Sequence, residues 1–335
     1  MNLKRLLYFG YYLKELDKRK FKIFLNHVSS TENLSKATIL IDVIKASFKY
    51  NISILEYFQF HFYKLSPKER ESFAGTGHMY EYQLIMNPKS SRQLLEDKLM
   101  FLKHYHQFIH HGFASLNDIQ ENPALGEKLL KNKSGKIVLK HTNGQCGIGV
   151  EVRSCDDFTI ASLVQRLEET GNNLVEEFVV QHKDLMKLSP SGLNTVRIIT
   201  QLDKNDQVEI LGARLRISVN SSVDNLAAGN IAASINLKTG IVDGPGVYSD
   251  ITKPTEAIHP ISKVPIEGFQ VPFWEESVKM VREAALFNKQ NKSIGWDIAI
   301  TDIGPELIEG NHDWCKLLWQ MPAQKGLKST LDKFY

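Results

Sequence analysis

Two periodicities divide the chain. Up to about residue 90, apolar residues recur at helical spacing: Leu34, Ala37, Ile41, Ile44 and Phe48 form one stripe, and Ile54, Leu55, Phe58, Phe62 and Leu65 another before the stop at Ser66-Pro67. Both stripes predict helices packed on a core. A further helix is predicted over 94–110. Beyond it, alternation with period two predicts strands at 136–140, 150–153, 173–180, 195–202, 208–219 and 233–237. Ser154-Cys-Asp-Asp157 fits a capping box opening a helix that ends at Gly171, and Trp274, Val278, Val281 and Ala285 share one face of a helix over 273–289. Two last strands, 296–301 and 306–310, are joined by a turn at Asp302-Ile303-Gly304-Pro305. The predicted class is α+β with a mainly helical N-terminal region.

At 335 residues and 42% hydrophobic, the chain is long enough for a sizeable core. Its net charge is small, 41 − 38 = +3, so charge points neither to a nucleic-acid partner nor to an anionic membrane surface. Cys146, Cys155 and Cys315 are too few and too scattered for a disulfide framework or a CxxC metal site. The uncharged run 6–13 falls far short of the ~20 residues that span a bilayer. Lys4 and Arg5 precede that run, but Lys14 and Glu15 follow it and no small-x-small cleavage site appears. A cytoplasmic protein without a membrane span is expected.

Candidate chemistry concentrates in the final hairpin. Folded at its turn, the hairpin sets Asp297 across from Glu309 and Asn311, which are two apart and share a face. Two carboxylates and an amide oxygen are hard ligands of the kind Mg²⁺ prefers. Geometry alone leaves an ordinary polar hairpin end as an equal alternative. Upstream, Lys140 ends a β-prone run before His141-Thr-Asn-Gly-Gln-Cys-Gly-Ile-Gly149, whose glycines 144, 147 and 149 let backbone N–H groups wrap phosphate oxygens. The GK[ST] ending of a P-loop is missing. The strand at 173–180 offers Glu176 and the backbone of 177–179 to an adenine ring, or serves only as a core strand. Arg197 is the one charge on its strand, and Arg214 and Arg216 share a face of the next, as a solvated pair or as a fork for carboxylate and phosphate. The histidines at 61, 78, 104, 106, 110 and 111 form no HExxH pattern and are read as solvated or core-edge groups.

The order of these features resembles the ATP-grasp superfamily, and specifically the sugar-transfer-associated ATP-grasp proteins found with polysaccharide-biosynthesis genes. The resemblance runs from about residue 91 to 326 through Asp97-Lys98, Lys140 with its glycine loop, Val-Glu-Glu-Phe-Val, Asn194-Thr-Val-Arg197, Gly212-Ala-Arg214, Asp224-Asn225, Gly295-Trp-Asp297 and Glu309-Gly-Asn311. It implies an ATP-grasp fold, two α+β subdomains clasping ATP, with a helical region over 1–90, a small subdomain over 91–175 and a C-terminal subdomain over 176–335. Lys98 and Lys140 would hold phosphates under the 144–149 loop; Glu176, Glu177 and Val179 would receive adenine, and Asp184 or Lys183 the ribose. Asp297, Glu309 and Asn311 would bind one or two Mg²⁺ ions. Arg197, Arg214 and Arg216, with Asn225, would serve the chemistry. The implied activity is an ATP- and Mg-dependent carboxylate–amine ligase working through an acyl-phosphate and joining an amine or amino acid to a sugar acid. A sugar kinase and a nucleotide-binding scaffold are the alternatives, and a glycosyltransferase is a candidate partner. One departure is Gly295, where many such ligases carry arginine.

Overall fold

The computed structural model describes residues 3–144 and 149–335. The chain opens with six helices, α1 (Leu3–Lys14), α2 (Lys18–Thr31), α3 (Lys36–Tyr50), α4 (Ile54–Gln59), α5 (Pro67–Glu71) and α6 (Thr76–Met86). Local chemistry sets their starts. Asp17 accepts from the Lys20 N–H to cap α2, Ser35 caps α3, and Ser53 with Glu56 and Ser66 with Glu69 close capping boxes on α4 and α5. Phe24, Tyr57, Phe58, Phe60 and Phe62 fill the core between them. The predicted stripe at 54–65 lies on that core. In α3 the buried residues are Ile39, Val43 and Ala46, while Ile41 and Ile44 are 54% and 46% exposed. Both faces of α3 carry apolar residues, so periodicity alone does not select the inner one.

A 94–110 helix is not continuous. It breaks into α7 (Gln93–Glu96) and α8 (Lys98–His104) because Asp97 turns extended and caps the new helix through the Met100 N–H at 2.9 Å. Four antiparallel strands follow, β1 (Phe113–Ser115), β2 (Lys136–Lys140), β3 (Glu151–Ser154) and β4 (Leu174–Glu177), ordered β1-β4-β2-β3. Helices α9 (Leu116–Glu121), α10 (Pro123–Leu130) and α11 (Ile160–Thr170) share a core with them. Helix α11 ends at Gly171 (φ +72°), as predicted, but begins at Thr159, whose hydroxyl accepts from Ser162 N–H; residues 155–157 form only a 3₁₀ turn.

After α12 (Lys183–Leu188) comes the larger sheet: β5 (Thr195–Leu202), β6 (Val208–Ile217), β7 (Ile231–Ser234), β8 (Ser293–Thr301) and β9 (Gly304–Asn311), in the order β7-β6-β5-β8-β9 and antiparallel throughout. Alternation gives it two buried faces. Val196, Ile198, Leu215, Trp296 and Ile298 pack on α8 and on α13 (Trp274–Phe287). Ile199 and Leu211 point the other way, against Tyr82 of α6, Trp314, and Trp319 of α14 (Lys316–Gln320). The second face also carries the charged residues of the site, so the helical region and the C-terminal tail border it. No helix among the described residues is long and apolar enough to cross a membrane.

Candidate functional site

The acidic cluster depends on an irregularity in the β8–β9 hairpin. From the turn, Thr301 pairs with Gly304 and Ile298 with Leu307; Ile308 is then skipped, and Asp297 pairs with Glu309 and Gly295 with Asn311. Without that bulge Ile308 would sit opposite Asp297, and Glu309 and Asn311 would face the other core. The extra residue brings all three polar side chains to one face.

Asp297 is 3% exposed and bound by two arginines. Arg197, directly opposite on β5, donates through Nε to Oδ1 and through Nη2 to Oδ2 (2.8 Å), and Arg216 donates through Nη1 to Oδ2 (2.6 Å). Burial opposes ionisation of Asp297, but the Arg197 and Arg216 charges outweigh it and hold the carboxyl far below its usual range. Arg216 also reaches Asp224 at 2.7 Å, whose other oxygen accepts from the Thr195 N–H. Glu309 has no cation bonded to it among the described residues. Burial and the Asp297 charge push its carboxyl up. Two guanidiniums thus face three carboxylates, Asp224, Asp297 and Glu309, with the Lys98 ammonium acting on Glu309 at longer range. Asn311 donates to Gly295 O (3.3 Å) and Glu309 Oε1 (3.2 Å), so its amide oxygen is left for a ligand. A hard divalent cation fits this donor set.

Gly295 shows why no arginine stands there. A Cβ would lie 2.6 Å from Trp314 Cβ and 3.1 Å from Arg197 Cδ, so Arg197 already fills that space from the neighbouring strand.

The basic end is built by β2 and α8. Lys140, closing β2, lies 2.7 Å from Glu176 Oε1. Burial would raise Glu176, but Lys140 and His111 outweigh it and hold it at about 2. His111 bridges Glu176 (3.3 Å) and Glu306 (2.8 Å), and these carboxylates overcome burial to lift it to about 9. Lys98 begins α8; its N–H donates to Thr142 O at 3.0 Å and its ammonium to the carbonyl of Gly144, tying the glycine loop to the helix. Burial lowers its pKa.

A cavity of about 760 Å³ joins these parts. Lys98, Lys140, Gly144, Glu309 and Asn311 line it together with Arg197, Arg216 and Asn225, and the helical region and the tail add Lys20, Gln59 and Lys316. Asp297 lies just behind the arginines, outside the lining. Not every expected residue converges here. Arg214 is buried and spends its guanidinium on Trp319 O and Ala213 O (2.6 Å), so only two of the three arginines reach the cavity. Glu176 is enclosed by its ion pairs, Glu177 accepts from Gly112 N–H (3.1 Å), and Val179 is half-buried past the end of β4. Asp184 pairs with Lys187 on the surface at 3.2 Å, and Gly149 takes φ +77° outside the lining. Gly147 lies outside the described residues. His111, Glu306, Lys20 and Lys316 carry no signal in the local sequence. His111 and Glu306 are 195 positions apart and meet only through the fold.

A family model described as sugar-transfer associated ATP-grasp matches residues 78–335. No curated protein matches the chain. Among solved structures, the biotin carboxylase domain of Hydrogenobacter thermophilus 2-oxoglutarate carboxylase aligns at 14% identity over 69% of this chain and 46% of its own, with TM-score 0.39. The ATP-grasp ligase PsnB complexed with minimal precursor aligns at 12% over 80% and 70% with TM-score 0.45, and D-alanyl-alanine synthetase A from Vibrio cholerae at 13% over 71% and 61% with TM-score 0.41. The chain thus spans about half the length of the carboxylase structure.

Proposed function

The chain belongs to the sugar-transfer associated ATP-grasp family, and from that premise we propose that it is an ATP- and Mg-dependent carboxylate–amine ligase. The observation that carries the reading is one cavity lined by two lysines and Gly144, by a carboxylate–amide pair, by two buried arginines and by polar side chains of the helical region and the tail. Lys98 and Lys140 balance phosphate charge, with Gly144 beside them in the same lining. Glu309 and Asn311, with Asp297 behind them, would hold Mg²⁺, which would supply charge neutralisation on the transferring phosphoryl group. A substrate carboxylate oxygen takes the terminal phosphoryl of ATP and ADP leaves; an amine nitrogen then attacks the acyl carbon and phosphate departs. Arg197 and Arg216, fixed by Asp297 and Asp224, offer preorganised donors to the tetrahedral oxyanion. Asn225, which lines the same cavity, contacts the acceptor. A sugar acid as acceptor and an amine or amino acid as donor suit the part of the lining where Lys20, Gln59 and Ser249 offer hydrogen bonds and charge to a hydroxylated anion.

Hydroxylamine supplied with Mg-ATP and a panel of sugar acids tests the chemistry. A ligase yields ADP and a hydroxamate. Phosphorylated sugar formed without any amine would establish a kinase instead, and neither product across the panel would refute both.

A further inference from the structure

A second cavity, of about 220 Å³, lies where α1, α6 and the tail after α14 meet, and it shares no lining residue with the nucleotide cavity. Its charged and ionisable side chains are Lys4, Arg5, Glu81, His78 and Lys328, with tyrosines between them. Glu81 is already committed, 2.9 Å from Lys4 Nζ and accepting from Tyr8 Oη at 2.8 Å. The remaining groups lack such partners. Arg5 is half-buried, and its Nη1 is cut off from solvent without a hydrogen bond. His78 Nε2 is buried in the same condition. The Lys328 ammonium has no carboxylate within ion-pair reach among the described residues. Asp332 acts on His78 electrostatically but does not line the cavity.

Burying part of a guanidinium without a hydrogen bond costs desolvation, and Glu81 acts on Arg5 only at longer range, so the arginine facing this half-open, mainly basic cavity calls for an anion. The chemistry narrows the class. Arginine's fork matches an oxyanion with several equivalent oxygens, a lysine adds a point charge, and a neutral imidazole donates its N–H. Burial and Lys328 hold His78 below its ordinary value, in that neutral form. The volume is under the ~300 Å³ at which ordinary small-molecule sites begin, and suits a group the size of phosphate.

We propose that this cavity binds a phosphate-class oxyanion, free or as the terminal phosphoryl of a larger ligand, at a site separate from the nucleotide cavity. The bound anion joins α1 to α6 and to the tail at Lys328, three segments that are distant in sequence.

The test is thermal unfolding of the full chain with inorganic phosphate titrated at constant ionic strength. A saturable rise in Tm is expected, following the linkage of ligand to the folded state. Arg5→Gln and Lys328→Gln should each cut that rise by more than half, and Arg5→Lys should retain part of it. Lys140→Gln should keep the phosphate response while losing the response to Mg-ATP. Glycerol phosphate in place of inorganic phosphate separates the two sources: equal stabilisation shows a phosphoryl group of a larger ligand, and none shows the free ion. A rise equal in wild type and in both glutamine variants would overturn the proposal, as would a rise lost in Lys140→Gln but kept in Arg5→Gln, or no saturable rise at all.

Discussion

Lys140, Glu176, His111 and Glu306 form a buried chain of alternating charge that spans both sheets. Its pH dependence follows from the two shifted groups. Glu176 is depressed from 4.5 to about 2, so its contribution is complete above about 4.5 and is lost as pH falls towards 2. His111 is raised from 6.5 to about 9, so its contribution is complete below 6.5 and is lost as pH rises through 9. Stability should therefore peak between about 4.5 and 6.5 and decline on the alkaline side. His111→Gln should flatten that decline and cost ~3–5 kcal/mol near the peak, because it leaves buried Glu306 without a cation and Glu176 with Lys140 alone. Urea denaturation across pH checks it; an unchanged slope between about pH 7 and 9 would count against His111 as the group responsible. At the cavity, Glu309→Gln should abolish turnover and the Tm response to Mg-ATP while leaving the fold intact, since it keeps the side chain's size and removes its charge. Wild-type rates in that variant would remove Glu309 from the proposed metal site. The strand period shows that Glu309 and Asn311 share a face, but their meeting with Asp297 depends on the skipped Ile308. The chain through His111 is invisible, because a cross-sheet partner 195 positions away leaves no local pattern.

At the scale of elements, most strands and the helix over 273–289 were legible, while the first ninety residues were legible only as helical. Strands 136–140 and 195–202 and the end of α11 at Gly171 match, because alternation and a glycine in the left-handed region are local signals. What failed did so where two local signals compete. Asp97 is a good helix residue near a start and an equally good cap, and Ser154 and Thr159 both offer hydroxyls to the same helix. The Ile308 bulge has no composition cue, yet it decides which face Glu309 occupies. Gly295 offers the sharpest test at this scale. Its Cβ would meet Trp314 Cβ at 2.6 Å, and neither the strand nor the buried indole has room to yield. Gly295→Ala should cost about 1–3 kcal/mol by overpacking and should displace Arg197 from Asp297, lowering kcat as well as stability. A variant as stable and active as wild type would show that Arg197 is not held in place by that close approach.

Across the whole molecule, the helical region outside the family match is not an appendage. Its core includes Val247 and Met321 from the far end of the chain, and Gln320 closes reciprocal hydrogen bonds with the main chain of Ala74 at 2.9 and 3.0 Å. Lys316 meets Glu56 at 3.1 Å where the cavity wall passes from one region to the other. Helical periodicity marked this region as packed, but the surface it packs on was fixed only by tertiary contacts. Sharing a core implies sharing a folding transition. All four tryptophans fall between 274 and 319, so tryptophan fluorescence reports on the larger sheet and tail, while far-UV circular dichroism weighs the helices of the first ninety residues heavily. The two signals should trace one curve in urea. Phe58 is fully buried among Phe21, Phe24 and Tyr57, far along the chain from any tryptophan. Phe58→Ala should cost ~3–5 kcal/mol and move both curves to lower urea together. If it shifts the dichroism and leaves the fluorescence midpoint in place, the helical region unfolds on its own, and its wall of the cavity opens without disturbing the wall built by the larger sheet.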